Sequence, residues 1–170
     1  MSLRKADVEF HFGYRKCGKS ELVEQMLAGY EKKIYFGTLP ISNEYKLTIN
    51  EHIQRRGNDW FTINLTHDLY TDLEILNQTI KTLDSPIVGM LDGLWTWYIF
   101  TNQNCPVSPI DFVHSIYPIL NKFDVLKIVD IGSYVLEENV ENKRKIEIIH
   151  EALINRLSIK KMIDYRYERI

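Results

Sequence analysis

Cysteine is scarce: Cys17 and Cys105 are the only two in 170 residues, and no Cys-x-x-Cys or Cys/His cluster offers zinc-ligand spacing. A disulfide scaffold and a structural zinc site are thereby excluded, and a reducing, cytoplasmic setting is expected. A chain of this length buries roughly 68–70% of its unfolded surface and needs no such staples, so residues 1–170 are expected to form a single domain. Charge of one sign is also missing. Twenty-one basic against 23 acidic residues leave a net charge of −2, which argues against nucleic acid or an anionic membrane as a general partner. Long apolar runs are absent as well. The longest, Pro86 to Phe100, is interrupted by Asp92 and two glycines and falls short of the ~20 residues that span a bilayer. The opening residues hold no apolar signal core, and no repeats or linkers divide the chain.

What is present alternates. Val8–Phe12, Ile34–Phe36, Trp60–Leu65, Ile87–Leu91, Val125–Val129 and Met162–Tyr167 read as strands, from β-branched and aromatic residues bounded by turn residues. Between them, apolar residues recur at helical spacing: Leu22 to Tyr30, Ile41 to Arg56 (Ile41, Tyr45, Ile49, Ile53), Leu69 to Ile80, Leu94 to Thr101, Asp111 to Lys122 with a disturbance at Pro118, and Val140 to Ser158. Asn102 to Pro109 reads as loop. Strands alternating with helices predict an α/β fold with a mainly parallel central sheet and helices on both faces.

The most informative stretch is Gly13-Tyr14-Arg15-Lys16-Cys17-Gly18-Lys19-Ser20, which satisfies G-x-x-x-x-G-K-[ST] between a predicted strand and a predicted helix. Its glycines let successive backbone N–H groups face one centre, and the following helix adds its positive end. Lys19 would reach the β- and γ-phosphates, and Ser20 would bind Mg²⁺. The bland alternative is a glycine turn with an ordinary surface lysine. Asp92, closing Ile87–Leu91, is placed to be the second metal ligand, with capping of the helix from Leu94 as the alternative role. Farther along, His52 and Arg56 lie four apart and share a helical face beside the Ile49/Ile53 stripe. That stripe would hold the helix to the protein while His52 and Arg56 look outward toward phosphate; a merely solvated face fits the same pattern.

His52-x-x-x-Arg56-x-x-x-Trp60, followed by Thr62, and Asp92-Gly93-Leu94-Trp95-Thr96-Trp97, taken with the phosphate loop, resemble the bifunctional adenosylcobinamide kinase / adenosylcobinamide-phosphate guanylyltransferase family of cobalamin biosynthesis. The resemblance covers nearly the whole chain but is specific only in these three blocks. It implies a P-loop NTPase-like domain and two reactions at one nucleotide site: phosphorylation of cobinamide, then GMP transfer through a guanylyl-imidazole on His52. It implies His52 and Lys19 as catalytic, Gly13 to Ser20 and Arg56 as nucleotide-binding, and Ser20 and Asp92 as ligands of Mg²⁺ with GTP or ATP. A cobinamide-like acceptor and association of copies into a homo-oligomer belong to the same expectation. The chain departs from the family in two places. Tyr14 is bulky where the family pairs glycines, and Asp130-Ile131-Gly132-Ser133-Tyr134-Val135 replaces Asn-Glu-Val-Gly-x-Gly. A nucleotide-binding regulator, or a P-loop kinase for another alcohol or nucleoside, would share the loop. His11 is expected to be half-buried packing, and His67, His114 and His150 show no partner pattern; Cys17 reads as structural and Trp95, Trp97, Tyr98 and Phe100 as packing.

Overall fold

A computed structural model describes residues 7–38, 46–56 and 59–166, without the side chains of His52 and Arg55. Ile41 and Tyr45 of the expected stripe, and Tyr167, lie outside the described residues. In chain order the elements are β1 (Asp7–Gly13), α1 (Lys19–Met26), β2 (Lys33–Gly37), α2 (Lys46–Arg56), β3 (Trp60–Asn64), α3 (Leu69–Lys81), β4 (Val88–Asp92), α4 (Leu94–Asn104), α5 (Pro109–Leu120), β5 (Val125–Ile131), a 3₁₀ turn (Ser133–Leu136), α6 (Val140–Arg156) and β6 (Ile159–Asp164). The strands form one sheet in the order β3-β2-β4-β5-β1-β6, and each neighbouring pair runs parallel.

Alternation along the strands decides which side each residue packs on. Ile34, Phe36, Leu91, Leu126 and Ile128 join the larger core beneath α3, α4, α5 and α6, where Trp97, Tyr98, Phe112 and Ile149 are buried. Tyr35, Val88, Met90, Val125 and Val129 point the other way and pack on Val23 of α1 and on Leu27 just after it. Both faces are covered, as an all-parallel sheet requires. The register brings Gly13 beside Ile131, Val129 beside Asp92, and Asp92 beside Gly37, so four strand ends share one carboxyl-terminal edge. Ligands of open α/β sheets bind in the crevice outside that edge.

Element bounds differ from the periodicity at several places, α1 ending at Met26 rather than Tyr30 among them. Helix α4 runs three residues past Thr101, and Asn102 Oδ1 then accepts the Val107 N–H at 2.9 Å to end the loop before α5. Pro118 sits inside α5 without breaking it: it falls in the last turn, so its missing N–H costs a single helical bond. Strand β6 begins at Ile159, three residues early, because Ile159 and Lys161 pair with Val8 and Glu9 across a register shift.

Candidate active site

The loop after β1 takes its shape from two residues in the left-handed region, Lys16 (φ 55°) and Gly18 (φ 86°). Gly18 is the N-cap of α1 and no side chain caps the helix, so first-turn N–H groups face the cleft with the positive end of the helix. A Cβ on Gly13 would lie 3.0 Å from Tyr165 Cβ, which explains glycine where the strand turns away. Lys19 is 7% exposed and its Nζ donates to the Tyr14 carbonyl at 2.8 Å, closing the loop across its own mouth.

Across the cleft stands Asp92. Its Oδ1 accepts the Ser20 hydroxyl at 3.1 Å, its Oδ2 accepts the Tyr35 phenol at 2.5 Å, and its carbonyl accepts the Thr38 hydroxyl at 3.0 Å. Burial foremost, and then the Asp92 charge, pushes the Tyr35 phenol well above the usual tyrosine range, so it stays a proton donor to the carboxylate. The next residue, Gly93, has φ 99°, which keeps the chain clear of Thr38. Asp92 does not cap α4; that bond comes from Asp130, whose Oδ1 accepts the Trp95 N–H at 2.9 Å while Oδ2 meets His150 Nε2 at 2.7 Å. Ser20 and Asp92 offer a hydroxyl and a carboxylate side by side, the oxygen donors that a hard divalent cation prefers. Among the described residues no group of three or more His, Cys, Asp or Glu is arranged to hold a metal ion.

Arg56 departs from the sequence expectation. Rather than looking outward, its side chain is 1% exposed: the guanidinium lies 3.3 Å from the Tyr35 ring centroid, Nη1 is 3.7 Å from Glu24 Oε1 of α1, and Nη2 donates to Thr62 Oγ1 at 3.3 Å. The physical reason is a ready-made socket, an aromatic face and a carboxylate, which suits a planar, weakly hydrated cation. The isoleucines expected to anchor α2 do less: Ile49 is half-buried on the cleft wall and Ile53 is 39% exposed. Among the described side chains of α2, Arg56 is the buried one. The backbone of His52 lies in the same helix, one turn before Arg56, and its side chain is outside the described residues.

Together these elements enclose a cleft of about 230 Å³ lined by Arg15, Lys16, Lys19, Ser20, Arg56 and Asp92 among others. Basic groups dominate the loop side and the Asp92 carboxylate stands opposite, a distribution suited to a phosphate chain with a bridging cation. Sequence reasoning missed Tyr35, Thr38 and Glu24, which hold Asp92 and Arg56; Tyr35 and Thr38 flank Gly37 at a strand end, a position that signals the crevice once the sheet order is known. Asp130 and His150 were also missed as a pair, because their contact joins β5 to α6 with no sequence pattern between them. His67 is buried and donates Nε2–H to the Thr38 carbonyl at 2.6 Å, a bond that steadies the cleft wall.

Behind the loop lies a buried polar network. His11 is fully buried, with Nδ1 2.8 Å from the Tyr165 hydroxyl and Nε2 2.9 Å from Glu9 Oε1, which also meets Lys127 Nζ at 2.8 Å. Burial drives the His11 pKa down, outweighing the raising effect of Glu9. Burial alone would raise Glu9, but the bonds from Lys127 and His11 outweigh it and hold the carboxyl below its ordinary value. Cys17 is partly buried within the loop, and Trp95, Trp97 and Tyr98 are core residues.

An all-parallel sheet with a glycine-lysine-serine loop between β1 and α1 places the chain in the P-loop NTPase-like class of α/β proteins. Residues 10–122 match the family of cobinamide kinase / cobinamide phosphate guanyltransferase, and the chain belongs to that family of phosphorus-group transferases of cobalamin biosynthesis. The matched stretch holds the whole loop, His52, Arg56 and Asp92, and ends before β5. No curated protein matches the chain. Among the described residues no helix is long and apolar enough to cross a membrane.

Proposed function

We propose that the cleft binds a nucleoside triphosphate through Gly13 to Ser20 and carries out both family reactions, phosphoryl transfer to a cobinamide hydroxyl and guanylyl transfer through His52. The observation that carries this reading is the 3.1 Å contact between the Ser20 hydroxyl and the Asp92 carboxylate, which brings the two expected cation ligands from distant parts of the sequence to one point beside Lys19.

In the kinase step the acceptor hydroxyl gives up its proton to solvent as its oxygen bonds to the γ-phosphorus, the bond from that phosphorus to the bridging oxygen breaks, and the nucleoside diphosphate leaves. A bound Mg²⁺ would neutralise charge on the β- and γ-oxygens. Lys19 exchanges its bond to the Tyr14 carbonyl for phosphate oxygens, and the N–H groups at the start of α1 hold the chain of phosphates in place; positioning and charge stabilisation supply most of the rate. Tyr35 keeps Asp92 aimed by donating to one carboxylate oxygen and leaving the other for Ser20 and the cation. In the guanylyl step a neutral ring nitrogen of His52 attacks the α-phosphorus of GTP and pyrophosphate leaves. The phosphate oxygen of cobinamide phosphate then displaces the imidazole.

Incubation with α-labelled GTP and Mg²⁺ tests the guanylyl step. Acid-labile label on the protein, absent from His52→Ala, is expected; equal labelling of both proteins removes His52 from the chemistry. Formation of cobinamide phosphate from cobinamide and a triphosphate tests the kinase step separately.

A further inference from the structure

One side chain touches both halves of the cleft. Tyr35, in β2, is 4% exposed and lies on a sheet face where its neighbours are apolar, among them Val23, Leu27, Val88 and Met90. A phenylalanine or leucine would fill that space. The hydroxyl and the ring face each have a further partner. The hydroxyl donates to Asp92 Oδ2 at 2.5 Å, and the guanidinium of Arg56, the last residue of α2, lies 3.3 Å from the ring centroid. Between these contacts the ring has little room. The Trp60 ring meets it edge-on with centroids 6.3 Å apart, and a Cβ on Gly37 would come within 2.9 Å of its Cε1.

The same contacts close a circuit. Asp92 Oδ1 accepts the Ser20 hydroxyl at the start of α1, and Arg56 Nη1 lies 3.7 Å from Glu24 Oε1 one turn farther along that helix. A path that begins at the two expected cation ligands thus runs through Tyr35 to α2 and returns along α1. We propose that Tyr35 is a positioning residue that couples the Ser20–Asp92 pair to α2, the helix that carries His52. This coupling rests on the phosphate-loop reading of Ser20 and Asp92 and deepens it. A cation drawn onto Asp92 fixes the carboxylate, the carboxylate fixes the phenol, and the ring fixes the seat of Arg56. The effect is reciprocal: what α2 gains from a cation at Asp92, the cation gains from a seated α2. The histidine helix is therefore held more firmly once metal-loaded phosphates occupy the loop, which ties the guanylyl step to the cation used in the kinase step.

A chain of contacts counts as coupling when a change at one end is measured at the other. Hydrogen–deuterium exchange of the full chain reads both ends. The probe is α,β-methylene GTP, which cannot pass its α-phosphoryl group to a histidine, added with Mg²⁺ or with EDTA. In wild type, Mg²⁺ with the analogue should slow exchange over residues 13–20 and, by roughly fivefold or more, over residues 46–56. Tyr35→Phe keeps the ring and loses only the hydroxyl, so it retains the packing. It should keep the protection of residues 13–20, slow residues 46–56 by about twofold or less, and exchange like wild type over α2 without ligand. Arg56→Lys, which removes the plane on the ring, should lose the same Mg²⁺-dependent protection of α2, and the double variant should lose no more than either single one. Equal Mg²⁺-dependent protection of α2 in wild type and Tyr35→Phe overturns the coupling. So does faster exchange of α2 in ligand-free Tyr35→Phe, which would make the hydroxyl a support of the fold alone. Protection of residues 13–20 in wild type with none over α2 also overturns it and leaves the cation reading standing. If Mg²⁺ changes neither segment in wild type, the cation reading fails and the coupling falls with it.

Discussion

Replacing Arg56 by alanine separates a docking role from an exposed, phosphate-facing one. An exposed arginine changes stability by no more than about 0.5 kcal/mol when truncated. The socket around Arg56 implies more. Removing one partner of a buried ion pair costs ~3–5 kcal/mol, and the Glu24 contact at 3.7 Å is long enough to place it at the lower end. The face of Tyr35, at 3.3 Å, adds ~0.5–2 kcal/mol, part of which solvent and repacking recover. A net loss of about 3 kcal/mol is expected, which for a domain of this size lowers Tm by roughly 6–12 °C. Urea unfolding followed by tryptophan fluorescence measures it as a shift in midpoint at constant slope. Arg56→Lys, which keeps the charge but loses the plane that lies on Tyr35, should recover less than half. An alanine variant within 0.5 kcal/mol of wild type would refute the buried docking role and return Arg56 to the outward position that its spacing from His52 first suggested.

Lys19→Ala should weaken triphosphate binding by roughly tenfold to a hundredfold, since each charge-assisted bond to phosphate is worth ~1.5–3 kcal/mol, while unfolding without ligand shifts by only about 1 kcal/mol from the lost bond to Tyr14; unchanged calorimetric affinity would contradict it. His11 is held neutral by burial, so its folded pKa lies below its unfolded value near 6.5: its contribution to stability is complete above that value and is lost as the pH falls through the folded pKa. Urea midpoints from pH 7 to 5.5 should therefore fall more steeply for wild type than for His11→Gln, and parallel slopes would exclude the effect; the depressed Glu9 carboxyl acts only lower, below about pH 4.5. Gly93→Ala forces a side chain into the left-handed region with its Cβ 2.5 Å from Thr38 Oγ1, so a loss of ~2–3 kcal/mol and a weaker metal-dependent triphosphate affinity are expected; a variant as stable as wild type would refute the strain.

The sheet and its helices were legible because burial on both faces leaves long β-branched and aromatic runs, as in Ile34–Phe36 and Ile87–Leu91, separated by amphipathic helices. The loop was legible because its chemistry is local: glycines, lysine and serine act within eight residues. The burial of Arg56 was not legible because helical spacing gives the face on which a residue lies and says nothing of what lies opposite that face. The socket comes from Tyr35 and Glu24, on a strand and a helix that the sheet order alone brings beside α2. Tyr35, Thr38 and the Asp130–His150 pair escaped notice for the same reason, since their partners are tens of residues away.

Strand β1 lies between β5 and β6, so the segment that leads into the phosphate loop is paired on both sides by the last two strands of the sheet. During synthesis, at ~5–20 residues per second, Gly13 to Ser20 leave the ribosome roughly ten seconds before the chain that will flank them. Strands β2, β3 and β4 have their mutual partners before β5 is made, whereas β1 has none until then. The cleft at the end of β1 is thus complete only once β5 and β6 have been made, and a nascent chain halted before β5 holds the complete loop sequence without the strands that flank β1. The proposed nucleotide site therefore depends on the last-made strands of the sheet.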